Sequence, residues 1–124
     1  MLSSMDYSKE HSGEMAGIDD FNKLDIRTGI FREVKPFPEA RKPAYQLFID
    51  FGPGMGIRQS SAQLVANYSP ADLTGKEVLA VVNFPVRQIA SFKSEVLVLG
   101  VPDDHGETVL VVPETPVPPG AKLY

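Results

Sequence analysis

The sequence predicts an all-β fold: a five-stranded Greek-key barrel with short helices and an extra C-terminal strand or tail. Three observations carry that prediction. The chain has 124 residues, the size of one ordinary domain. Short apolar runs, several alternating with period two, recur along it between Gly-, Pro- and Asp-rich breaks. A helix-compatible stretch falls between the third and fourth of these runs. Strand, strand, strand, short helix, strand, strand is the order of the oligonucleotide/oligosaccharide-binding barrel.

Each element has its own warrant. "GIDDFNKLD" places Ile18, Phe21 and Leu24 at helical spacing with Asp19 or Asp20 as N-cap, so a short helix or turn whose apolar side leans on the body is expected. "IRTGIFREV" (26–34) reads as the first strand, and Gly29 suits a bulge or tight bend. "KPFPEARKP" carries Pro36, Pro38 and Pro43 and reads as a loop. "AYQLFIDFG" (44–52) is the cleanest strand; "PGMG" turns it into "IRQSSAQ", completing a hairpin. "SAQLVANYSPADLTG" reads as a short helix ended before Pro70, then a turn from Ser69 to Gly75. "KEVLAVVNF" (76–84) is nearly all apolar and reads as buried on both faces, followed by "SEVLVLGV" and "ETVLVV" (107–112). "PETPVPPGAKLY" contains four prolines and is not helical.

Residues 1–16 are polar and acidic and read as a flexible N-terminal extension; residues 17–124 read as the folded domain. The extension lacks the basic flank and apolar core of a secretory signal. No run approaches the roughly 18 apolar residues of a membrane span, so no membrane insertion is expected. With no cysteine there is neither a disulfide nor a thiolate metal site, in keeping with a cytoplasmic setting. The net charge of -4 hides a division. Residues 1–25 and 103–124 are acidic, whereas 26–102 hold nine bases against six acids. That balance is far from the strongly basic one of proteins whose affinity rests on phosphate contacts.

Catalysis has little support, and no enzymatic activity, cofactor or metal is expected. His11 lies in the extension and His105 in the turn "PDDHGE", so no set of convergent metal ligands forms. Ser60, Ser61 and Ser94 have no histidine placed to serve as base. "GPGMG" (52–56) sits in a hairpin turn and lacks the lysine and hydroxyl of a phosphate-binding loop. The informative segment is "VVNFPVRQIASFKSEVLVLG" (81–100), where aromatics and cations lie between two strand-like runs. Phe84, Val86, Ile89 and Phe92 offer an apolar floor, and Asn83, Arg87, Gln88 and Ser94 offer groups for a peptide backbone. Ser60, Ser61 and Gln63 are expected on the neighbouring strand. The cations of the body, interleaved with aromatics, also allow nucleic-acid binding by stacking and phosphate contact.

Five segments together resemble a known family: "DDFNKLDIRTG" (19–29), "FPEARKPAYQLFIDFG" (37–52), "IRQSSAQ" (57–63), "VVNFPVRQIASFKSEVLVLG" (81–100) and "PVPPGAK" (116–122). They are similar to the CsaA-type secretion chaperones, a stand-alone branch of the tRNA-binding domain family. That family also includes the C-terminal appendage of bacterial methionyl-tRNA synthetase. The resemblance covers about residues 17–123. It implies an obligate homodimer without covalent chemistry, packed across its two-fold through the N-terminal helix and the proline-rich tail. It implies binding of unfolded or presequence-like polypeptides and cooperation with the SecA export motor, with apolar or basic peptides as the expected ligands.

The alternative implied by more distant relatives is tRNA binding in trans, with Arg27, Lys42, Asn83, Lys93 and Ser94 as contacts. Those relatives carry a Gly-Met pair where this chain has Val96-Leu97, which moves the reading from tRNA towards peptide. Val86 stands where the chaperones commonly have a second proline, and Ser91 where they commonly have glycine.

Overall fold

Strand β1 (Ile26–Pro36) lies at the middle of a five-stranded antiparallel sheet in the computed structural model, which describes residues 14–124. On one side it pairs with β2 (Tyr45–Asp50), which pairs with β3 (Ile57–Ala62); on the other it pairs with β4 (Glu77–Val81), then β7 (Leu97–Val98). The sheet curls into a nearly closed barrel. Alternation sets its inside: Tyr45, Leu47 and Ile49 are buried, while Gln46, Phe48 and Asp50 are only partly covered. With Phe31, Phe51, Leu64, Leu73 and Val78 they form the core, each large apolar side chain contributing about 1.5–3 kcal/mol by leaving water.

The bend in β1 differs from the expected one. The register slips between Phe31 and Glu33, so the bulge is at Arg32, whose guanidinium reaches the Asp50 carboxylate at 3.1 Å. Gly29 is regular strand, and its lack of a side chain serves packing. A Cβ there would lie 2.6 Å from the Ile49 methyl and 2.7 Å from the Phe51 ring.

The helices are shorter than the sequence predicts. α1 (Ile18–Asn22) is capped at Gly17, whose N–H donates to the Asp20 carboxylate at 2.8 Å, so Asp20 is the third helical residue and not the cap. The expectation that its apolar side leans on the body fails: none of its residues is buried, and Ile18 is 71% exposed. The helix expected before Pro70 is a single turn closed by the Tyr68 N–H to the Leu64 carbonyl. The segment expected as a turn is α2 (Pro70–Leu73), capped reciprocally by Ser69 and Asp72 and pinned by buried Leu73.

Two small hairpins extend the barrel. β5 (Arg87–Ile89) and β6 (Phe92–Ser94) join through Ala90 and Ser91; Ala90 has φ 53°, as turns of this kind require. This segment, which the sequence places between two strand-like runs, is thus a second, two-stranded sheet. β8 (Gly100–Pro102) and β9 (Thr108–Leu110) form the other hairpin, so the run expected as one strand at 94–101 is divided between β7 and β8, and that at 107–112 is shortened to β9. The tail takes the β1 edge that β2 leaves open. Thr28 N–H donates to the Ala121 carbonyl, Gly120 N–H to that of Thr28, and Leu123 N–H to that of Ile26. No helix among the described residues is long and apolar enough to cross a membrane.

Candidate functional site

The site grows out of how the barrel closes. Opposite the well-paired β1, strand β3 meets the segment 93–97 through side chains as much as backbone. Gln59 exchanges bonds with Glu95: its N–H donates to the Glu95 carboxylate at 2.9 Å, and its carbonyl accepts from the Glu95 N–H at 2.8 Å. Its amide also donates to the Lys93 carbonyl. The Ser60 hydroxyl donates to the Val96 carbonyl at 2.7 Å, and the Ser94 hydroxyl accepts the Ser61 N–H at 3.0 Å. Ser60 and Ser94 are buried, 1% and 6% exposed, and complete a polar seam whose groups satisfy one another.

Hairpin β5–β6 is held by the seam bonds of Lys93 and Ser94 and by the packing of one side chain. Phe92 is buried outside the barrel core, its ring 5.4 Å from Phe37 and 6.2 Å from Phe48, edge-on to the latter. This anchor fixes where Arg87 and Ile89 stand. Between the hairpin, the end of β3, the loop 40–44 and the β7–β8 run opens a groove of about 1050 Å³. Its apolar walls include Ile89, Leu97 and Val101, and its polar groups are Ser61, Gln63, Thr108 and three cations, Arg41, Lys42 and Arg87. Leu97 and Val101 are 41% and 52% exposed.

The expected site residues therefore separate into three groups. Ser61, Gln63, Arg87 and Lys42 line the groove. Phe92, Ser60 and Ser94 lie behind it, shaping it from within. Asn83, Phe84, Val86, Gln88 and Lys93 lie outside the groove lining, all exposed. Asn83 is a clamp: its amide oxygen accepts the Asp25 N–H at 2.9 Å and its amide nitrogen donates to the Lys23 carbonyl at 2.8 Å. Gln88 donates to the Ala90 carbonyl across the hairpin turn. Arg27 is engaged as well, bonded to the Asp25 carboxylate at 2.6 Å and to the Gly120 carbonyl at 3.1 Å, which ties down the tail.

Leu97 and Val101 are groove residues that sequence reasoning does not find, and Arg41, one of the body cations considered for nucleic-acid contact, lines the groove with them. Nothing in a continuous apolar run such as "SEVLVLGV" tells which member a strand break will leave open. The β8–β9 hairpin at the far rim is held by Asp103. Its carboxyl lies below the ordinary carboxylate value because the Asn67 amide, then the Glu107 and His105 N–H groups, donate to it. Among the described residues no group of His, Asp and Glu gathers to hold a metal.

Comparison with known proteins agrees with this architecture. Residues 26–122 match the family described as "Putative tRNA binding domain". Methionine–tRNA ligase from Porphyromonas gingivalis is 32% identical over 110 residues, 89% of this chain but 16% of the ligase. That from Bacteroides fragilis is 33% identical over 105 residues, 85% of this chain and 15% of the ligase. The chain thus spans about a sixth of those curated relatives. The crystal structure of chaperone CsaA from Bacillus anthracis shares 48% identity and a TM-score of 0.84, covering 90% of this chain and all of that one. The CsaA chaperone protein from Picrophilus torridus shares 49% and 0.82, over 89% of this chain and all of that one. With a family match spanning β1 to the tail, and two solved chaperones similar over nine-tenths of its length, the chain belongs to the tRNA-binding domain family, in its CsaA-like form.

Proposed function

We propose that the protein is a non-catalytic, homodimeric chaperone that binds unfolded or presequence-like polypeptides in the cytoplasm and serves protein export. The observation that carries this reading is the groove. It combines exposed aliphatic walls at Leu97 and Val101 with polar groups at Ser61, Gln63 and Arg87, which is what capture of varied side chains along one backbone requires. The similarity to two CsaA chaperones supports it, and SecA is the export partner the reading names. Dimerisation is supported by the apolar residues around the start of β1: Ile18, Phe21, Phe84, Leu123 and Tyr124 are all exposed in the single chain.

The test is suppression of aggregation of a chemically denatured client. A Leu97→Asp, Val101→Asp variant that keeps its fold is expected to lose most of the protection. Undiminished protection would remove the groove from the reading. A second reading, tRNA binding in trans, is favoured by the family match over residues 26–122 and by Lys93, which is exposed and without an ion pair among the described residues. It requires tRNA affinity that falls steeply with salt and weakens in Lys93→Ala; tRNA binding without client protection would favour it over the first.

A further inference from the structure

Charge is distributed unevenly between the groove and the rest of the surface. The chain is acidic overall, with a net charge of -4. Four of its described cations, Lys23, Arg27, Arg32 and Lys35, stand within 4.0 Å of a carboxylate, and all four lie outside the groove. Arg41, Lys42 and Arg87 line the groove without an ion-pair partner among the described residues, as Arg58, Lys76, Lys93 and Lys122 also stand elsewhere; what marks the groove is that three such cations share one concave surface. Among the described residues no carboxylate belongs to the lining. Of the acids nearest in sequence, Glu39, Asp104 and Glu107 are exposed and outside the lining, and Asp103 is occupied by three donors from its own surroundings. An acidic protein has thus left one concave surface positive, beside exposed Leu97 and Val101.

We infer that the groove selects extended polypeptide in which carboxylate side chains alternate with apolar ones; the inference rests on the peptide-binding reading above and reverses the preference for basic peptides that the resemblance implies. Alternation follows from the geometry of an extended chain, whose successive side chains point to opposite sides. The exposed aliphatic side chains of Leu97 and Val101 are offered to the apolar set and Arg41, Lys42 and Arg87 to the carboxylates. A nucleic acid fits less well, because single-stranded RNA is held by stacking bases on aromatic rings. Among the described residues no aromatic lines the groove, and Phe37 and Phe92 are buried in their own cluster.

The experiment measures binding of the full chain to fluorescent decapeptides in which valine alternates with glutamate or with lysine, and to a uridine decamer. The glutamate peptide is expected to bind about tenfold tighter than the lysine peptide at low salt, as a few exposed ion pairs allow, with the ratio shrinking as salt rises. An Arg41→Glu, Lys42→Glu, Arg87→Glu variant is expected to invert the ratio. If that variant does not fold, Arg87→Gln is expected to reduce the ratio instead. Equal binding of both peptides, or tighter binding of the lysine peptide, overturns the charge selection and leaves the peptide-binding reading standing. Binding of neither peptide overturns both. Tighter binding of the uridine decamer than of the glutamate peptide, lost in the charge-reversed variant, assigns the groove to nucleic acid and overturns the inference.

Discussion

The two sides of the barrel are built from different forces. Where β2, β1 and β4 pair, the interior is apolar: Phe31, Leu47, Ile49, Val78 and Ala80 have no exposed surface. Where β3 meets 93–97, the closure is polar, with Gln59, Ser60, Ser94 and Glu95 in contact through hydrogen bonds. Apolar burial scales with area and does not depend on direction, so the first side tolerates no missing volume but has no single key contact. Hydrogen bonds are directional and cost most when one partner is removed, so the second side depends on a few atoms. The groove opens beside the second side. The wall supplies stability and the seam supplies position.

The sharpest way to break this contrast is in the wall. Leu47→Ala, at a fully buried position, is expected to cost about 2–5 kcal/mol in denaturant unfolding, with peptide affinity unchanged while the protein stays folded. In the seam, Ser60→Ala strands the buried Val96 carbonyl and is expected to cost about 1–3 kcal/mol. It is also expected to speed hydrogen exchange of residues 93–97 ahead of β1 and weaken binding, the readout that a wall mutation does not move. If Ser60→Ala left exchange and binding untouched, the seam would be no different from the wall.

The smallest effect is local to the far rim. Because the Asp103 carboxyl is held below its ordinary value of 3.8, it stabilises the β8–β9 hairpin above that pH. The stabilisation is lost as pH falls through the lowered folded value. Acid titration followed at the Thr108 and Val109 amides is expected to show this loss, and Asp103→Asn to abolish the pH dependence.

Much of the wall is legible in the order of the residues alone. In 45–50 the residues at odd positions are apolar and buried, and the even ones are only partly covered, because a strand on a curved sheet turns alternate side chains inward. "NYSPADLTG" carries its own cap in Ser69 and Asp72, although the unit it caps reads as a turn and folds as a helix. Glycine is the residue that permits a bulge, which is why Gly29 attracts the expectation of one. The bulge falls instead at Arg32, where the ion pair with Asp50 takes up the extra residue, and Gly29 answers to a crowded Ile49 and Phe51.

The site is legible only in part, and for a physical reason. Composition and motif order mark the 81–100 segment, and Arg87, Ser61, Gln63 and Lys42 do meet at one groove. Nothing local distinguishes Ser60, 1% exposed, from half-covered Ser61. Their fates separate because the partners of Ser60 lie more than thirty residues away at Ser94 and Val96. Phe92 likewise joins the core of a second cluster only because Phe37 and Phe48 arrive beside it. The sequence by itself determined the strands of the wall, most of the turns and the family, since these follow from periodicity and from residues near one another in the chain. Only the tertiary structure decided which cations stand free in a groove and which are neutralised by a neighbour, because charge pairing depends on distances in space that no spacing along the chain encodes.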